Sequence, residues 1–212
     1  MHPVDWGLFH VATEYLWGAP AGAILLGYLL GSIPFGIILT RAFGAGDLRQ
    51  IGSGNIGATN VLRTGRKGLA AATLLLDLAK GSAAVLIAGW LFKGHEIPAA
   101  AAALLGHCYP VWLKFRGGKG VATLMGIVLA LHWPIGLVYA LVWLGLLAVL
   151  RISSVAGMAA AISAPIAAAV LGDFDEVFLL VALALIVLWK HRANVERLTQ
   201  GNEPRIGAKK DG

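Results

Sequence analysis

The chain has 212 residues, of which 58% are hydrophobic and only 13% are charged, whereas a soluble domain has about 45–50% apolar and about 25% charged residues. These values and the mean hydropathy of +0.77 exclude a disordered chain, a coiled coil and an ordinary soluble domain, and they predict a membrane protein. The net charge of +6 fits an anionic partner such as lipid or nucleic acid. The single cysteine, Cys108, excludes an intrachain disulfide.

The first segment of the chain is amphipathic. Between Met1 and Trp17 there is no Lys or Arg, so the basic region of a secretory signal peptide is missing. Four aromatic and two acidic residues occur there instead. We therefore predict that residues 1–19 form an interfacial lead-in on the outer side of a membrane.

Seven apolar stretches follow, and only the second contains charged residues. In chain order they are Pro20–Thr40, Gly68–Trp90, Ile97–Leu113, Gly120–Leu131, Pro134–Leu150, Ser153–Gly172 and Val177–Trp189. A helix needs about 17–25 residues to cross the hydrocarbon core. Gly120–Leu131 and Val177–Trp189 are short by this measure, and Gly120–Leu131 is the less certain crossing.

The positions of the cations favour seven crossings. If all seven stretches cross, 15 of the 17 Lys and Arg residues lie on one side, and the positive-inside rule makes that side the cytoplasm. We predict an all-α membrane protein, a seven-transmembrane-helix bundle with its N-terminus outside and its C-terminus in the cytoplasm. Residues 20–206 would form a single integral-membrane domain, followed by a cytoplasmic tail, residues 207–212.

The first cytoplasmic loop contains a run of small and polar residues. Gly52–Asn60 has three glycines, two asparagines, a serine and a threonine, and Arg63 follows. Glycines leave backbone amides free to surround an anion, and a guanidinium binds two phosphate oxygens at once. The loop therefore predicts an anion site, although a flexible linker is the plainer interpretation of its glycine and serine content.

A second polar cluster precedes the fourth stretch. Gly106–Gly120 contains three cations and a Gly-Gly-Lys-Gly sequence that includes Lys119. Lys114 and Arg116 have the placement of topology determinants, whereas Lys119 between glycines is better placed to bind a ligand. Leu113 replaces the first glycine of a Walker A loop and Gly120 follows the lysine, so nucleotide hydrolysis is disfavoured.

The third cluster follows the last stretch. On a continuing helix, His191 and Asn194 share one face and Arg192 and Glu196 another. Such residues are also ordinary juxtamembrane groups that attract anionic lipid. Ser154 lies one residue into the sixth stretch, where its hydroxyl either reaches the same site or caps the helix. Together the three clusters predict one binding site for a phosphorylated anion at the membrane surface.

Asp77 and Lys80 lie inside the second stretch. Charged side chains within a membrane are costly and indicate a paired or functional role. Being three residues apart on one helical face, they either neutralise each other or reach the polar site from the bundle interior.

The sequence contains no recognisable motif for a metal site or a catalytic nucleophile. The six histidines and the cysteine lack HExxH and CxxC spacing, and there is no GxSxG elbow. The cations are not interleaved with stacking aromatics, which disfavours nucleic acid as a partner. No metal, cofactor or obligate protein partner is predicted.

The motifs resemble those of the acyl-phosphate:glycerol-3-phosphate acyltransferase family (PlsY type) of bacterial inner membranes. The resemblance rests on GSGNIGATNVLR at Gly52–Arg63, GHCYPVWLKFRGGKGVAT at Gly106–Thr123 and HRANVERLTQGNE at His191–Glu203, with LLGSIPFG at Leu29–Gly36. It extends from about Tyr28 to Ile206. One departure is Ile56, where family members often have proline.

The resemblance implies a seven-helix bundle with a cytoplasmic active site. The reaction would move a fatty acyl group from acyl-phosphate to the 1-hydroxyl of glycerol 3-phosphate, releasing lysophosphatidate and phosphate in phospholipid biosynthesis. By the resemblance, the catalytic residues that hold glycerol 3-phosphate and orient its hydroxyl would be Arg63, Lys119, Ser154, His191 and Asn194. The acyl-phosphate group would be held by Ser53, Gly54, Asn55, Gly57, Thr59 and Asn60, to which Gly117 and Gly118 of the second cluster are added. Glu203, Asp77 and Lys80 would give structural support.

Acyl-phosphate is a mixed anhydride with a good leaving group, so no covalent acyl-enzyme is needed. We expect positioning and charge neutralisation to dominate catalysis, with the departing phosphate or His191 accepting the hydroxyl proton.

Two other classes of function remain as alternatives. A transporter of a small organic phosphate would fit the intramembrane charges, and a non-enzymatic scaffold for anionic lipid would fit basic loops that only mark topology.

Overall fold

The computed structural model describes residues 17–207. Within that range the chain forms ten α-helices and two single turns of 3-10 helix, without a β-strand, which confirms the all-α prediction for this part. The helices are α1 (Ala19–Gly31), α2 (Phe35–Ala42), α3 (Ala58–Leu62), α4 (Lys67–Leu91), α5 (Glu96–Cys108), α6 (Val121–Leu131), α7 (Trp133–Leu150), α8 (Ser153–Leu171), α9 (Phe174–Lys190) and α10 (Arg192–Thr199). The predicted lead-in and tail lie almost entirely outside the described residues.

Four helical segments have the length and apolar composition needed to cross a membrane. They are Ala19–Ala42, Lys67–Leu91, Trp133–Leu150 and Ser153–Leu171. Large apolar side chains such as Trp90, Val170 and Phe178 leave 77–84% of their surface uncovered on the outside of the bundle. Exposed apolar area of this kind is rare on a soluble monomer and suits contact with lipid.

The first predicted stretch, Pro20–Thr40, is two helices and not one. α1 ends at Gly31 and α2 begins at Phe35, with Pro34 between them. Proline has no N–H to donate and disfavours a helical conformation in the residue before it. The break frees backbone carbonyls, and two of them find side-chain donors. Lys80 Nζ donates to the Ile33 carbonyl at 2.8 Å, and Trp112 Nε1 donates to that of Ser32 at 2.9 Å.

The third predicted stretch, Ile97–Leu113, is also helical over a shorter range. α5 stops at Cys108, and a single 3-10 turn covers Val111–Leu113. Pro110 accounts for the early end, because Tyr109 before it adopts a non-helical backbone with φ −138°. The chain after α5 therefore leaves the bundle axis and forms the loop that carries Lys119.

Helices pack closely where glycine faces a neighbouring backbone. A Cβ at Gly31 of α1 would meet the Ala103 carbonyl of α5, and one at Gly126 of α6 would meet the Leu78 carbonyl of α4. Small residues allow such approach between membrane helices. The packing of α1 on α5 and of α4 on α6 brings the polar loops at one end of the bundle together.

At the opposite end of the bundle, a histidine and an aspartate from two different loops are in contact. His132 Nδ1, between α6 and α7, lies 2.5 Å from Asp173 Oδ2, between α8 and α9. The two ends therefore differ in character. One is held by this pair, and the other is formed by long loops rich in glycine and cations.

Candidate functional site

One cleft at the end of the bundle gathers side chains from several separate parts of the chain. These parts are the glycine loop (residues 51–63), the lysine loop (residues 114–120) with the start of α6, the start of α8, the segment from His191 into the tail (residues 200–207), and a few positions on α4, α5 and α7. The predicted site residues that line the cleft are Ser53, Asn55, Gly57, Thr59, Asn60, Arg63, Asp77, Lys119, Ser154, His191, Asn194 and Glu203. Gly54, Lys80, Gly117 and Gly118 are not among the residues that line it.

Asn60 organises the glycine loop from within. Its side chain is 1% exposed, and its Nδ2 lies 2.8–2.9 Å from the carbonyls of Leu48, Ile51 and Asn55. Its Oδ1 accepts from the Ser53 amide at 3.2 Å. The Asn60 amide group is thus occupied by the loop itself, and its geometry favours shaping the glycine loop over contacting an anion directly.

Gly52 allows Arg63 to fold back over the same loop. The residue has φ +54°, a conformation that glycine adopts without steric cost. A Cβ there would also collide with the Arg63 guanidinium and lie 2.7 Å from the Asn60 amide oxygen. The guanidinium can therefore rest against the loop, at the edge of the cleft.

The Glu203 carboxylate accepts hydrogen bonds from three other side chains of the site. Its Oε1 accepts from Ser154 Oγ and from Asn194 Nδ2, both at 2.6 Å, and its Oε2 accepts from Arg197 Nε at 2.7 Å. Burial opposes ionisation of the carboxyl, but these hydrogen bonds outweigh it and lower the pKa of Glu203. The ionised tail residue thereby ties α8 to α10.

Lys119 enters the cleft from the lysine loop. Its Nζ donates to Asn194 Oδ1, so the lysine is connected through Asn194 to Glu203. Burial, followed by the positive charge of Arg197, lowers the pKa of Lys119 to about 8. The ammonium is therefore incompletely solvated and lies next to other cations, an environment that an anionic ligand would stabilise.

His191 lies between α9 and α10 with 3% of its surface exposed. Its Nδ1 is 2.7 Å from the Val187 carbonyl, and because a carbonyl oxygen only accepts, Nδ1 carries the proton. Burial lowers the pKa of His191 to about 4, so the ring is neutral near pH 7 and its Nε2 is an acceptor. The side chain can accept a hydrogen bond from a hydroxyl in the cleft.

Gly117 and Gly118 hold the lysine loop against the end of α5. Their amides donate to the carbonyls of Cys108 and His107 at 3.2 and 3.0 Å, and a Cβ on Gly118 would collide with the His107 ring. These glycines lie behind the cleft surface. Their geometry favours a packing role that seats Lys119, and not a contact with phosphate.

Asp77 and Lys80 pair inside the bundle below the cleft. Lys80 Nζ lies 2.7 Å from Asp77 Oδ1, and both side chains are nearly fully buried. Asp77 lines the base of the cleft, while Lys80 also binds the Ile33 carbonyl freed by the helix break. The two alternatives drawn from the sequence are therefore combined, because the residues neutralise each other and one of them reaches the site.

Two titratable residues of the cleft are absent from the sequence-based prediction. Arg197 lines the cleft and binds Glu203. It is three residues after Asn194, and this spacing places both on one face of α10, which could have indicated that Arg197 belongs to the site. His107 also lines the cleft and shares a hydrogen bond with Thr123 at 3.1 Å. Arg192, in contrast, faces outward and binds the Trp189 carbonyl.

The cleft combines cations, hydroxyls and amides in a small space at the end of an apolar bundle. Arg63, Lys119 and Arg197 supply positive charge, and Ser53 and Thr59 supply hydroxyls. Such donors bind phosphate oxygens. Among residues 17–207, no group of three or more His, Cys, Asp and Glu side chains has the arrangement of a metal site.

Comparison with known proteins gives consistent relatives. The chain matches the glycerol-3-phosphate acyltransferase family over residues 21–201. The glycerol-3-phosphate acyltransferase of Novosphingobium aromaticivorans is 67% identical over 187 residues, covering 88% of this chain and 95% of its own. That of Erythrobacter litoralis is 58% identical over 190 residues, covering 90% and 96%.

Two solved structures share the fold. Both are crystal structures of PlsY (YgiH), an integral membrane glycerol 3-phosphate acyltransferase, one in the glycerol 3-phosphate form and one in the lysophosphatidic acid form. Each is 38% identical to this chain and covers 89% of it, with 96% and 95% of their own length matched. The TM-scores are 0.84 and 0.82, so the bundle described above is an integral membrane fold.

Proposed function

The chain belongs to the glycerol-3-phosphate acyltransferase family, and we propose that it uses acyl-phosphate as its acyl donor. The acyl group would pass to the 1-hydroxyl of glycerol 3-phosphate, giving lysophosphatidate and inorganic phosphate. The observation that carries this proposal is the convergence of Arg63, Lys119 and Arg197 on one cleft at the end of an apolar bundle. This reaction brings together two phosphorylated anions, one of which has a lipid chain.

The two substrates are assigned to different walls of the cleft. Ser53, Asn55, Gly57 and Thr59 form the wall for the acyl-phosphate group, with Gly54 and Asn60 shaping the loop behind it. Arg63, Lys119, Ser154, His191 and Asn194 form the wall for glycerol 3-phosphate. The relatives solved in a glycerol 3-phosphate form and a lysophosphatidic acid form support a site for the glycerol 3-phosphate moiety, because substrate and product share it. The acyl chain would lie along the lipid-facing side of the bundle.

The hydroxyl of glycerol 3-phosphate attacks the carbonyl carbon of acyl-phosphate, and the bond from that carbon to the phosphate oxygen breaks. The neutral His191 accepts a hydrogen bond from the attacking hydroxyl through Nε2. A base with a pKa of about 4 is too weak to hold the proton at pH 7. The departing phosphate leaves the carbonyl carbon as a trianion, which is a far stronger base than His191, so it takes the hydroxyl proton and is released as hydrogen phosphate, and no acyl-enzyme forms.

The same proposal includes the placement in the membrane. Seven crossings with the N-terminus outside would put the cleft on the cytoplasmic side of a bacterial inner membrane. The clustering of cations at the cleft end supports this orientation. The shorter helices α5 and α6 would cross with help from their flanking loops, and residues 20–206 would act as one domain.

The experiment is an assay of the purified protein with acyl-phosphate and glycerol 3-phosphate. The wild-type protein should release lysophosphatidate and phosphate in equal amounts, while acyl-carrier-protein and coenzyme A thioesters give no product. Lys119→Ala and Arg63→Ala should each lower kcat/KM by about 100-fold or more, because each removes a cation that stabilises developing charge. Arg66→Ala is the matched control, since Arg66 is an exposed arginine outside the cleft.

The assay also separates the alternatives. A transporter of organic phosphate would accumulate labelled glycerol 3-phosphate in vesicles without forming lysophosphatidate, and a scaffold would do neither. Gel filtration in detergent should show that both cleft variants remain folded. Wild-type rates in folded Lys119→Ala and Arg63→Ala would overturn the site assignment.

A further inference from the structure

A second cavity adjoins the cleft on its outer side. Residues 51–53, 59, 62 and 63 of the glycine loop form one wall, residues 202 and 204–207 of the tail form the other, and Arg197 lies with them. This outer cavity has a volume of about 730 Å³. It shares Ser53, Thr59 and Arg63 of the glycine loop with the cleft, and also Arg197 and Pro204, so the two spaces meet between the glycine loop and the tail.

The charged residues that line the outer cavity are all cationic. Arg63, Arg197 and Arg205 contribute to it, and no carboxylate is among its lining residues. The inner cleft differs, since Asp77 and Glu203 line it. Across residues 17–207, no carboxylate lies within ion-pair distance of Arg205. An exposed, uncompensated cation at the mouth of such a space raises the local concentration of anions.

Hydrogen bonds made by residues on both sides of Arg205 in the chain hold it in this place. Two residues before it, Glu203 accepts hydrogen bonds from Ser154 and Asn194 at 2.6 Å. One residue after it, the Ile206 amide donates to the Arg151 carbonyl at 2.7 Å, and Arg151 Nε donates to the Ile206 carbonyl at 3.2 Å. These hydrogen bonds attach the tail to the start of α8. The tail wall of the outer cavity is therefore an ordered part of the fold.

We propose that the outer cavity is the aqueous entrance for phosphate-monoester dianions and that Arg205 is the residue that first binds them. The inference rests on the proposed function, because glycerol 3-phosphate is the water-soluble substrate of that reaction. The cavity also has an apolar part, lined by Ile51, Leu62 and Ile206, so recognition of phosphate there depends on its arginines. The dianion would pass from Arg205 to Arg63 at the shared boundary and then to Lys119 in the cleft. Hydrogen phosphate, with the same charge, would leave by the same route.

The test compares Arg205→Glu, Arg205→Lys and the control Arg66→Ala in steady-state kinetics. Arg205→Glu should raise KM for glycerol 3-phosphate about tenfold at low ionic strength, in line with steering by a single surface charge, with kcat and the KM for acyl-phosphate little changed. The increase should shrink in about 0.5 M salt, because screening weakens interactions between exposed charges. Arg205→Lys should restore most of the wild-type KM, since it keeps the charge. Inorganic phosphate should inhibit Arg205→Glu less than the wild type.

A wild-type KM for glycerol 3-phosphate in Arg205→Glu at low salt would overturn the proposal, as would an equal rise in Arg66→Ala. A loss of kcat without change in KM would also overturn it, since the tail would then act only as a brace. Equilibrium binding of labelled glycerol 3-phosphate to the detergent-solubilised protein gives a second readout that needs no turnover. If the wild type forms no product yet Arg205→Glu weakens this binding, the proposed function fails and the entrance stands.

Discussion

The charge of Lys119 depends on pH near the physiological range, because burial lowers the pKa of its ammonium group. Its ammonium is half-buried beside Arg197, and the pKa is lowered to about 8. Below that pH the residue is charged and can meet a phosphate, and above it the free enzyme loses this charge. His191 behaves differently, because its pKa of about 4 keeps it neutral throughout the physiological range.

These shifts predict the pH profile. The ratio kcat/KM for glycerol 3-phosphate should be level between about pH 7 and pH 8 and then fall about tenfold per pH unit, because it reports the free enzyme. No limb from His191 should occur near pH 6.5, and an acid limb near pH 6 belongs to the substrate phosphate, whose second pKa is about 6. Initial rates at limiting glycerol 3-phosphate from pH 5 to 10 provide the measurement.

Lys119→Arg is the matching variant for this profile. Arginine stays charged in proteins, so any remaining activity should lose the alkaline limb. The same limb in wild type and Lys119→Arg would show that another group titrates, and would contradict the assignment to Lys119.

The residue types of the site were predictable from the sequence, whereas several of their roles were not. Arg63 and Lys119 were identified because cations among glycines are unusual in an apolar chain. The role of Asn60 depends on three carbonyls up to 12 residues away, and that of Gly118 depends on the position of the His107 ring. Such contacts arise only from tertiary packing, which a single sequence does not display.

At the scale of helices, glycine determines how closely the elements approach. Gly126 packs against the α4 backbone at Leu78, and Gly81 of α4 packs in turn against the α6 carbonyl of Thr123. These reciprocal contacts set the position of α6, whose first turn follows the lysine loop. The separation of α4 and α6 is therefore linked to the placement of Lys119.

Gly126→Ala should destabilise the protein by about 1–3 kcal/mol, the usual cost of overpacking a well-filled interior. The added Cβ would fall on the Leu78 carbonyl, so α6 must move away from α4. Gly145→Ala on α7 is the control, because no atom lies within 4 Å of its Cβ position. Thermal unfolding in detergent, followed by tryptophan fluorescence, should show a lower Tm for the first variant only. Equal Tm values would contradict this role of glycine.

Helix existence was easier to predict than helix ends. Each of the seven apolar stretches contains a helix, because hydropathy reports burial or contact with lipid directly. The interruptions at Pro34 and Pro110 are local backbone effects, and a hydropathy window averages over them. The break at Pro34 also explains Lys80, whose partners include the freed Ile33 carbonyl.

At the scale of the whole molecule, the chain has two different ends. The cleft end contains the glycine and lysine loops and the tail. The opposite end contains Lys93, the His132–Asp173 pair and Asp175. A membrane with its cytoplasm at the cleft end would receive the water-soluble glycerol 3-phosphate on the side where the cations lie.

Cysteine labelling tests this orientation, and the protein suits it because the native Cys108 is fully buried. Lys93→Cys and Asp175→Cys at the outer end should react with a membrane-impermeant maleimide in intact spheroplasts. Glu196→Cys on α10, exposed at the cleft end, should react only after the membrane is permeabilised. Each variant should retain acyltransferase activity, which shows that the labelled protein is folded. Labelling of Glu196→Cys in intact spheroplasts would reverse the orientation, and labelling of Lys93→Cys but not Asp175→Cys would change the number of crossings between them.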